Sequence, residues 1–515
     1  MRLRERLART PPGYQFSIGR VLAIYAGLMT AILLAALDQT IVSTALPRVV
    51  SDLGGISQYS WVFTAYLLAS TVTVPLYGKL GDVYGRKPLY LVAIGIFLTG
   101  SALCGIAQNM TELVLFRGVQ GLGAGGLIPL AMATVGSIVP MRDRGRYQGL
   151  IGAVFGAASI IGPLVGGFIV DNTTWRWIFY VNLPVGGLAL VVIILTMPRR
   201  TARRTHSIDW LGAAVLAAAT TALLLGLVWG GRQYPWISVQ VLGSLAAAVL
   251  LGLVFAVIER RAAETILPFE LIREKTIAAS LLSIGLVGMA MFGTISFVPL
   301  FVQGVIGTSA TSSGVVLTPL MLGAVTASIV SGQWISRSGR LKPNALAGTI
   351  VLTVGMLLLW RMGVDTTNGQ AARNMVVSGI GLGLMMQVFV LSVQNVVPRA
   401  AMGSATALTQ FARSIGATLG VTIMGLIVNQ GLPRDVRGGA ETIGVKRLPQ
   451  PLRVALADAL HPAFLAAACV SALVFVIVLV GIDEVPLRQS LEDRPAADEI
   501  AAVAAEPGST GARAR

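Results

Sequence analysis

Charge is what this sequence has least of. Only 12% of its 515 residues are Asp, Glu, Lys or Arg, against about a quarter in soluble domains, which nearly excludes a globular cytosolic enzyme. Histidine is scarce too: His206 and His461 both fall between apolar runs, so no imidazole lies where it could carry a proton inside one. Two cysteines, Cys104 and Cys469, are too few for a disulfide framework or a zinc site. Both sit in apolar stretches and read as small core residues. No G-x-x-x-x-G-K-[ST] stretch occurs, so no P-loop ATP site is expected. Met1–Tyr14 is polar and arginine-rich with no small-residue cleavage site after the first apolar run, so no removable signal peptide is expected.

What the chain has instead is apolar length. Apolar residues make up 55% of it, with mean hydropathy +0.77. A hydrocarbon core about 30 Å thick needs roughly 20 residues of helix at about 1.5 Å each. Fourteen such runs are legible. Six come first: Val21–Pro47, Tyr59–Gly78, Leu89–Ala107, Leu113–Val139, Gly149–Val170 and Trp177–Met197. Two follow, Ile208–Trp229 and Val239–Ile258. Six close the series: Ile277–Gln303, Gly314–Ile335, Ala345–Trp360, Met375–Val397, Ser404–Val428 and Phe464–Ile482. The 59 glycines suit helices packed in lipid.

The net charge of +16 would suit a nucleic-acid partner on a soluble surface, so its placement matters. An even number of spans puts both termini on one side. That side holds 27 of the 39 Lys and Arg and the other holds ten, with Arg117 and Arg413 inside spans. The positive-inside rule then places both termini in the cytoplasm and accounts for the basic balance without nucleic acid.

Two loops repeat. Gly78-Lys-Leu-Gly-Asp-Val-Tyr-Gly85-Arg-Lys-Pro follows span two, and Gly332-Gln-Trp-Ile-Ser-Arg-Ser-Gly339-Arg-Leu-Lys-Pro follows span ten. Both place glycines seven apart before a basic cluster and proline. Spans 9–14 therefore read as a copy of spans 1–6, with a pair inserted between. Parallel halves related by an axis along the membrane normal are a transporter plan, with the substrate site at their interface. The expected division is a cytoplasmic tail over 1–19, a six-helix bundle over 20–197 and the inserted pair over 198–275. A second bundle follows over 276–482 with an external loop at 429–462, then a disordered cytoplasmic tail over 483–515.

Gly78–Pro88 resembles the major facilitator superfamily signature between helices two and three. Leu37-Asp-Gln-Thr-Ile-Val-Ser-Thr-Ala-Leu-Pro47, Arg117-Gly-Val-Gln-Gly121, Gly162-Pro-Leu-Val-Gly-Gly167 and Trp175-Arg-Trp-Ile-Phe-Tyr-Val-Asn-Leu-Pro184 are similar to further motifs of its fourteen-helix drug:proton antiporter branch, the QacA/EmrB type. The resemblance runs from span one to span fourteen. It implies an all-α membrane protein with the major facilitator fold: two six-helix bundles plus two inserted helices. It also implies a multi-pass location in a bacterial inner membrane. Ser336 stands where Asp82 stands in the first copy, so no role is carried over there.

Proton-driven transport needs a group within the membrane that holds and releases a proton. Asp38 is the one carboxylate well inside a span; Glu112, Asp171, Asp209 and Asp483 sit at edges. A charge at that depth costs at least about 2.5–3.5 kcal/mol and reads as functional by default. Asp38 lies about 14 Å short of Pro47, and Arg117 about 6 Å past the outer start of span four. The two fall at comparable depth, on spans that line the cavity in the superfamily. A guanidinium favours the carboxylate and desolvation favours the neutral acid, so an arriving proton or cation can tip the pair. Gln120, one turn on from Arg117, is placed to orient either partner. The alternative is that Asp38 and Arg117 are separate packing groups, each bonded to a nearby carbonyl.

Asp82, with Gly78 and Gly85 for close approach, is expected to meet the positive end of a neighbouring helix and to pair with Arg86. That contact would latch the inner side, or merely brace it. Pro163 removes a backbone bond in span five, while Gly162 and Gly166 permit tight packing, and Gly167 completes the same motif. Met289, Phe292 and Phe297 in span nine and Met386 and Gln387 in span twelve are candidate substrate-cavity residues, since methionine-rich surfaces suit promiscuous binding; ordinary core is the plainer alternative. Gly121–Gly126 satisfies G-x-G-x-x-G but has no preceding strand, so it reads as a packing face. No cofactor is expected beyond a proton gradient, and no metal. The expected partners are the lipid bilayer, protons and small lipophilic or cationic compounds. The whole reads as an exporter of such compounds, with an endogenous metabolite or lipid exporter and a non-transporting scaffold or receptor as alternatives. A periplasmic partner is left open.

Overall fold

In lipid the backbone has no water to bond, so long apolar runs must satisfy their amides internally as helices. The computed structural model describes residues 16–53, 58–198, 209–231, 233–262, 265–266, 269–306, 317–398, 401–432 and 450–484. Its helices are α1 (Ile18–Leu53), α2 (Tyr59–Tyr84), α3 (Arg86–Ile106), α4 (Met110–Ile138), α5 (Met141–Asn172), α6 (Trp177–Tyr180) and α7 (Asn182–Thr196). The inserted pair is α8 (Trp210–Trp229) and α9 (Val239–Glu259). The rest are α10 (Phe269–Arg273), α11 (Lys275–Phe301), α12 (Thr318–Ser338), α13 (Lys342–Trp360), α14 (Asn368–Met386), α15 (Val388–Val396), α16 (Met402–Gly431) and α17 (Gln450–Gly481). Short α6 and α7 together form the sixth span, and α14 and α15 the twelfth.

Thirteen spans among the described residues are long and apolar enough to cross a bilayer. The remaining expected span is α12, a 21-residue helix too polar to qualify, with Ser328, Ser331, Gln333 and Arg337 in its second half. Its buried stripe of Gly and Ser is occupied by α5 and α14, not lipid, which is why such a sequence is tolerated.

The repeat is visible in the packing. In the first half α2 packs on α4, α3 on α4, α1 on α5 and α1 on α7. In the second half the corresponding pairs pack likewise: α12 on α14, α13 on α14, α11 on α16 and α11 on α17. The repeated lysines make equivalent contacts. Lys87 Nζ donates to the Ile194 and Met197 carbonyls at 2.7 Å, and Lys342 Nζ donates to the Leu479 carbonyl at 2.8 Å. Each satisfies carbonyls left over at the end of the sixth helix of its own half, where a cation is favoured.

The halves meet along two seams, α2 against α16 and α5 against α12. Exchanging the halves exchanges the seams. Glycine brings backbones together on both. A methyl group on Gly78 would overlap Ala407 Cβ and lie 2.9 Å from the Gly403 carbonyl oxygen; one on Gly145 would lie 2.9 Å from that of Gly332, and one on Gly149 2.9 Å from that of Ser328. Alternating helix directions put all these contacts toward the end where α1 starts and α17 stops. A polar bond crosses there as well, Gln148 Nε2 donating to Gln394 Oε1 at 3.0 Å, and within the second half Gln394 Nε2 donates to Thr406 Oγ1 at 3.0 Å. The inserted α8 touches both α2 and α16, and Trp61 and Trp229 stack edge-to-face at 6.5 Å. The added pair therefore straddles the outside of one seam.

Several expected boundaries move. Span two does not end at Gly78: α2 runs to Tyr84, and the turn is a single residue, Gly85, at φ 91°. Gly78 is therefore a helix-packing glycine, and Gly85 alone supplies the backbone freedom. The first helix continues past Pro47 to Leu53. The loop expected over 429–462 is shorter, because α16 extends to Gly431 and α17 begins at Gln450. Arg453, Asp458 and His461 interrupt the apolar run without interrupting the helix. Arg453 Nε donates to the Val305 carbonyl at 2.6 Å, and His461 Nε2 lies 2.7 Å from the Met362 carbonyl oxygen. Positions 433–449 and the tails at 1–15 and 485–515 lie outside the described residues.

Candidate functional site

Asp38 on α1, Arg117 and Gln120 on α4 and Asn182 at the start of α7 converge on one fully enclosed cluster. The first three have no solvent-accessible surface, and Asn182 has 2%. Arg117 Nη1 donates to Asp38 Oδ2 at 2.6 Å and to Gln120 Oε1 at 2.7 Å. Gln120 Nε2 donates to Asp38 Oδ1 at 2.8 Å, and Asn182 Nδ2 donates to the same oxygen at 3.0 Å. Asn182 Nδ2 also donates to Ser101 Oγ at 3.0 Å, and that hydroxyl donates to the Phe179 carbonyl at 2.8 Å. Arg117 is held further by the Val62 carbonyl at 3.3 Å and lies 4.2 Å over the Tyr66 ring.

The arrangement follows from local sequence. Residues three apart share a helix face, so Arg117 and Gln120 both reach across to α1. The small residues between and beyond them let neighbouring helices close in. A methyl on Gly100 would collide with the Gln120 backbone, and one on Gly121 would meet the Tyr66 carbonyl oxygen at 2.5 Å. Gly123 and Gly125 likewise fit against the backbones of Phe97 and Ser70. The G-x-G-x-x-G run thus packs α4 between α2 and α3. Asp38 and Arg117 are partners here, not separate groups each bonded to a carbonyl.

Energetically, such a cluster has to be completed to be tolerated. Burying each ion costs several kcal/mol, repaid only when geometry is good and the remaining lone pairs are bonded. Both Asp38 oxygens are satisfied, one by Arg117 and the other by Gln120 and Asn182. The weak place is Arg117 Nη2, which has no hydrogen-bond partner among the described residues. A carboxylate at this position, ringed by movable donors and one unspent guanidinium hydrogen-bonding atom, has the chemistry to exchange a proton when its surroundings shift.

A second constellation lies at the seam. Asp82 Oδ1 accepts from the Gly403 amide at 2.9 Å, and Asp82 Oδ2 accepts from the Ser404 amide at 2.8 Å and from Ser404 Oγ at 3.2 Å. These amides are in the first turn of α16, where backbone donors are free and the helix dipole favours an anion. Arg86 Nη2 donates to Asp82 Oδ1 at 3.3 Å, and Arg86 Nη1 donates to the Ala133 carbonyl at 2.8 Å. A first-half carboxylate therefore caps a second-half helix. Hydrogen bonds to a charged group contribute about 1.5–3 kcal/mol. Asp82→Asn is expected to favour the separated seam by roughly tenfold or more. A single cysteine at Thr406, with Cys104 and Cys469 replaced, should then react correspondingly faster with an impermeant maleimide; an unchanged rate would remove Asp82 from the closing contact.

The other nominated residues divide. Gly162 is buried, and a methyl there would collide with Thr40 Oγ1 on α1; Thr40 Oγ1 in turn donates to the Ala158 carbonyl at 3.1 Å. Gly166 is buried too. Gly167 faces open space. The α5 helix is continuous through Pro163. Met289, Phe292, Phe297 and Met386 are half-buried, and Phe297 packs against the main core. Gln387 is 2% exposed and sits at the break between α14 and α15, with Nε2 donating to Ser328 Oγ on α12 at 2.9 Å. That ties it to a neighbouring helix. A hollow of about 730 Å³ between α12 and α14 is lined by Leu322, Thr326, Val330, Val376 and Ile380 among others, and by none of the five nominated residues. Leu322 and Val330 are largely exposed and lie off the stripe that meets α5, so this hollow opens on the flank of the bundle.

Asn182 was missed by the sequence reading, although it stands inside the motif Trp175–Pro184. Its signal was an amide one turn into an apolar run. Among the described residues no group of three or more His, Cys, Asp or Glu is placed to hold a metal ion.

Comparison with known proteins bears on this geometry. A family model described as the Major Facilitator Superfamily matches residues 28–421. The chain is 42% identical over 406 residues to the multidrug transporter protein MdtP of Bacillus subtilis (strain 168), covering 79% of this chain and 75% of that protein. It is 38% identical over 404 residues to multidrug resistance protein 3 of the same organism, covering 78% and 79%. Among solved structures, the proton:xylose symporter XylE bound to 6-bromo-6-deoxy-D-glucose superposes with a TM-score of 0.65 at 14% identity, covering 92% of this chain and 98% of that one. That last likeness concerns the fold alone.

Proposed function

The chain belongs to the major facilitator superfamily, and from that premise we propose that it is a proton-coupled antiporter exporting lipophilic or cationic drugs across the bacterial inner membrane. Relatives that are multidrug transporters support the efflux part of the reading. The observation that carries the coupling part is Asp38, an enclosed carboxylate held by Arg117, Gln120 and Asn182. Fourteen helices with both termini in the cytoplasm is the topology that the charge count favours. With that orientation, the glycine-packed seams and the Asp82 cap lie at the cytoplasmic end, and the conformation is the one closed to the cytoplasm.

The cycle then follows from charge bookkeeping. A proton taken up at Asp38 from outside neutralises the carboxylate and frees Arg117, which weakens the bridge between α1, α4 and α7. The bundle relaxes, the cytoplasmic seams part and Asp82 leaves the α16 amides. Substrate enters, the proton departs and the seams reform. The driving force is about 1.4 kcal/mol per pH unit and about 2.3 kcal/mol per charge per 100 mV.

Everted vesicles from cells expressing the protein test this. Ethidium should accumulate inside them when respiration acidifies the lumen, and accumulation should stop when nigericin dissipates the pH gradient. Accumulation that persists without a gradient, or none at all, contradicts the proposal.

A further inference from the structure

Arg413 on α16 is an intramembrane cation with no acidic counterpart among the described residues. Among the described residues it makes no hydrogen bond, ion pair or ring contact. Three residues before it, Gln410 is 4% exposed and its amide also has no partner among the described residues. The contrast with the other cluster is plain: there both carboxylate oxygens of Asp38 and both amide atoms of Gln120 are bonded to neighbours.

The helix periodicity fixes where the pair points. Gly403 and Ala407 lie against α2, while Gly416 and Gly420 lie against Gly285 and Met289 on α11. Gln410 and Arg413 occupy the sector between those two faces. The α16 helix also touches α4 of the other half, and the Arg413 stem passes beside Gly288, whose missing side chain leaves it room. Thr406, one turn before Gln410, bonds Gln394 in the polar bridge between halves. Arg413 therefore lies on the inter-half side of α16, about eleven residues or 16 Å along the helix from its first turn, which is mid-membrane depth.

We propose that Gln410 and Arg413 form a subsite for the carboxylate of a lipophilic acid. A guanidinium presents a planar fork matched to a carboxylate, and the glutamine amide supplies a neutral donor on the same face. The apolar body of such a compound would lie along the half-buried Met289 and Phe292. Asp38 and Arg117 take no part: their bonds are made to each other. This names a carboxylate-bearing group within the lipophilic class and rests on the export reading only for the passage of the acid, not for its binding.

The test is a binding titration on the full-length protein in phosphatidylcholine nanodiscs. The probes are dansyl-aminoundecanoic acid and its methyl ester, which differ only in the carboxylate, with ethidium as a fold control. The wild type should bind the acid at least about tenfold more tightly than the ester. Arg413→Gln should bring the two within about twofold while ethidium binding stays unchanged, Arg413→Lys should recover part of the difference, and Gln410→Leu should weaken the acid alone. Equal binding of acid and ester by the wild type, or an Arg413→Gln variant that keeps the preference, overturns the proposal. So does loss of the preference when phosphatidylglycerol replaces phosphatidylcholine, since Arg413 would then be holding a lipid headgroup. Because binding is read without a gradient, failure of proton-driven transport in vesicles leaves these outcomes separate.

Discussion

A Gly78→Leu variant is expected to fold, insert and bind ethidium, yet transport at least about a hundredfold more slowly than the wild type. The reason is where the added atoms would go. Gly78 faces Ala407 Cβ and the Gly403 carbonyl, and backbone cannot rotate aside as a side chain can. Overpacking commonly costs about 1–3 kcal/mol, and contact with two rigid groups puts this site at or above the top of that range. Alternative conformations of such proteins differ by only a few kcal/mol. The cost falls on the closed seam alone, so it shifts the population toward the separated one instead of unfolding the bundle. The Thr406 cysteine should then be labelled from the termini-bearing side almost completely. Gly95→Leu is the control: nothing lies within 4 Å of a methyl there, and transport should be unaffected. Slow transport in both variants would point to general damage, and normal transport in Gly78→Leu would mean that this seam need not close.

The second large effect concerns the enclosed ion pair, where the two partners are not equivalent. Removing one member of a buried pair costs about 3–5 kcal/mol because the other is left charged and alone. In Asp38→Asn the remaining group is Arg117, which cannot lose its proton and keeps only Gln120, the Val62 carbonyl and the Tyr66 ring. In Arg117→Gln the remaining carboxyl can shed its charge by binding a proton and keep its bonds to Gln120 and Asn182. Asp38→Asn should therefore be the less stable single variant by about 2 kcal/mol. The double variant Asp38→Asn/Arg117→Gln should recover most of that loss, since no isolated charge remains. All three should lack proton-driven transport. Thermal unfolding in one detergent ranks their stabilities, and vesicle uptake measures transport. Recovered transport in the double variant would make the pair a brace with no part in coupling.

Much of the fold was legible because a bilayer leaves few choices. Apolar runs of bilayer length had to become helices, and the doubled glycine-basic-proline loop disclosed the repeat, down to the matching lysines at 87 and 342. Boundaries were less legible. Hydropathy stops where side chains leave the oil, while helices continue into the interface, as α2 does to Tyr84 and α17 does from Gln450. The α12 helix was legible as an apolar run although it carries Gly and Ser, which are tolerated because protein covers them. At the site, Asp38 and Arg117 stood out as costly charges, and the spacing to Gln120 told which way it faced. Asn182 did not stand out, because an amide in an apolar run gives no clue to its partner three spans away. The Asp82 contact was anticipated in kind, but its receiving helix was not, since α16 lies more than 300 residues further along the chain. For Gln387, the bond to Ser328 on α12 was not legible, because a polar residue at mid-span gives no clue to its partner.

The most direct measurement follows protons and cargo together. Wild-type protein in liposomes loaded with a pH-sensitive dye and ethidium, and placed in acidic buffer, should acidify the lumen as ethidium leaves; Asp38→Asn should abolish both fluxes while still binding ethidium. Coupled fluxes persisting in Asp38→Asn would contradict the account.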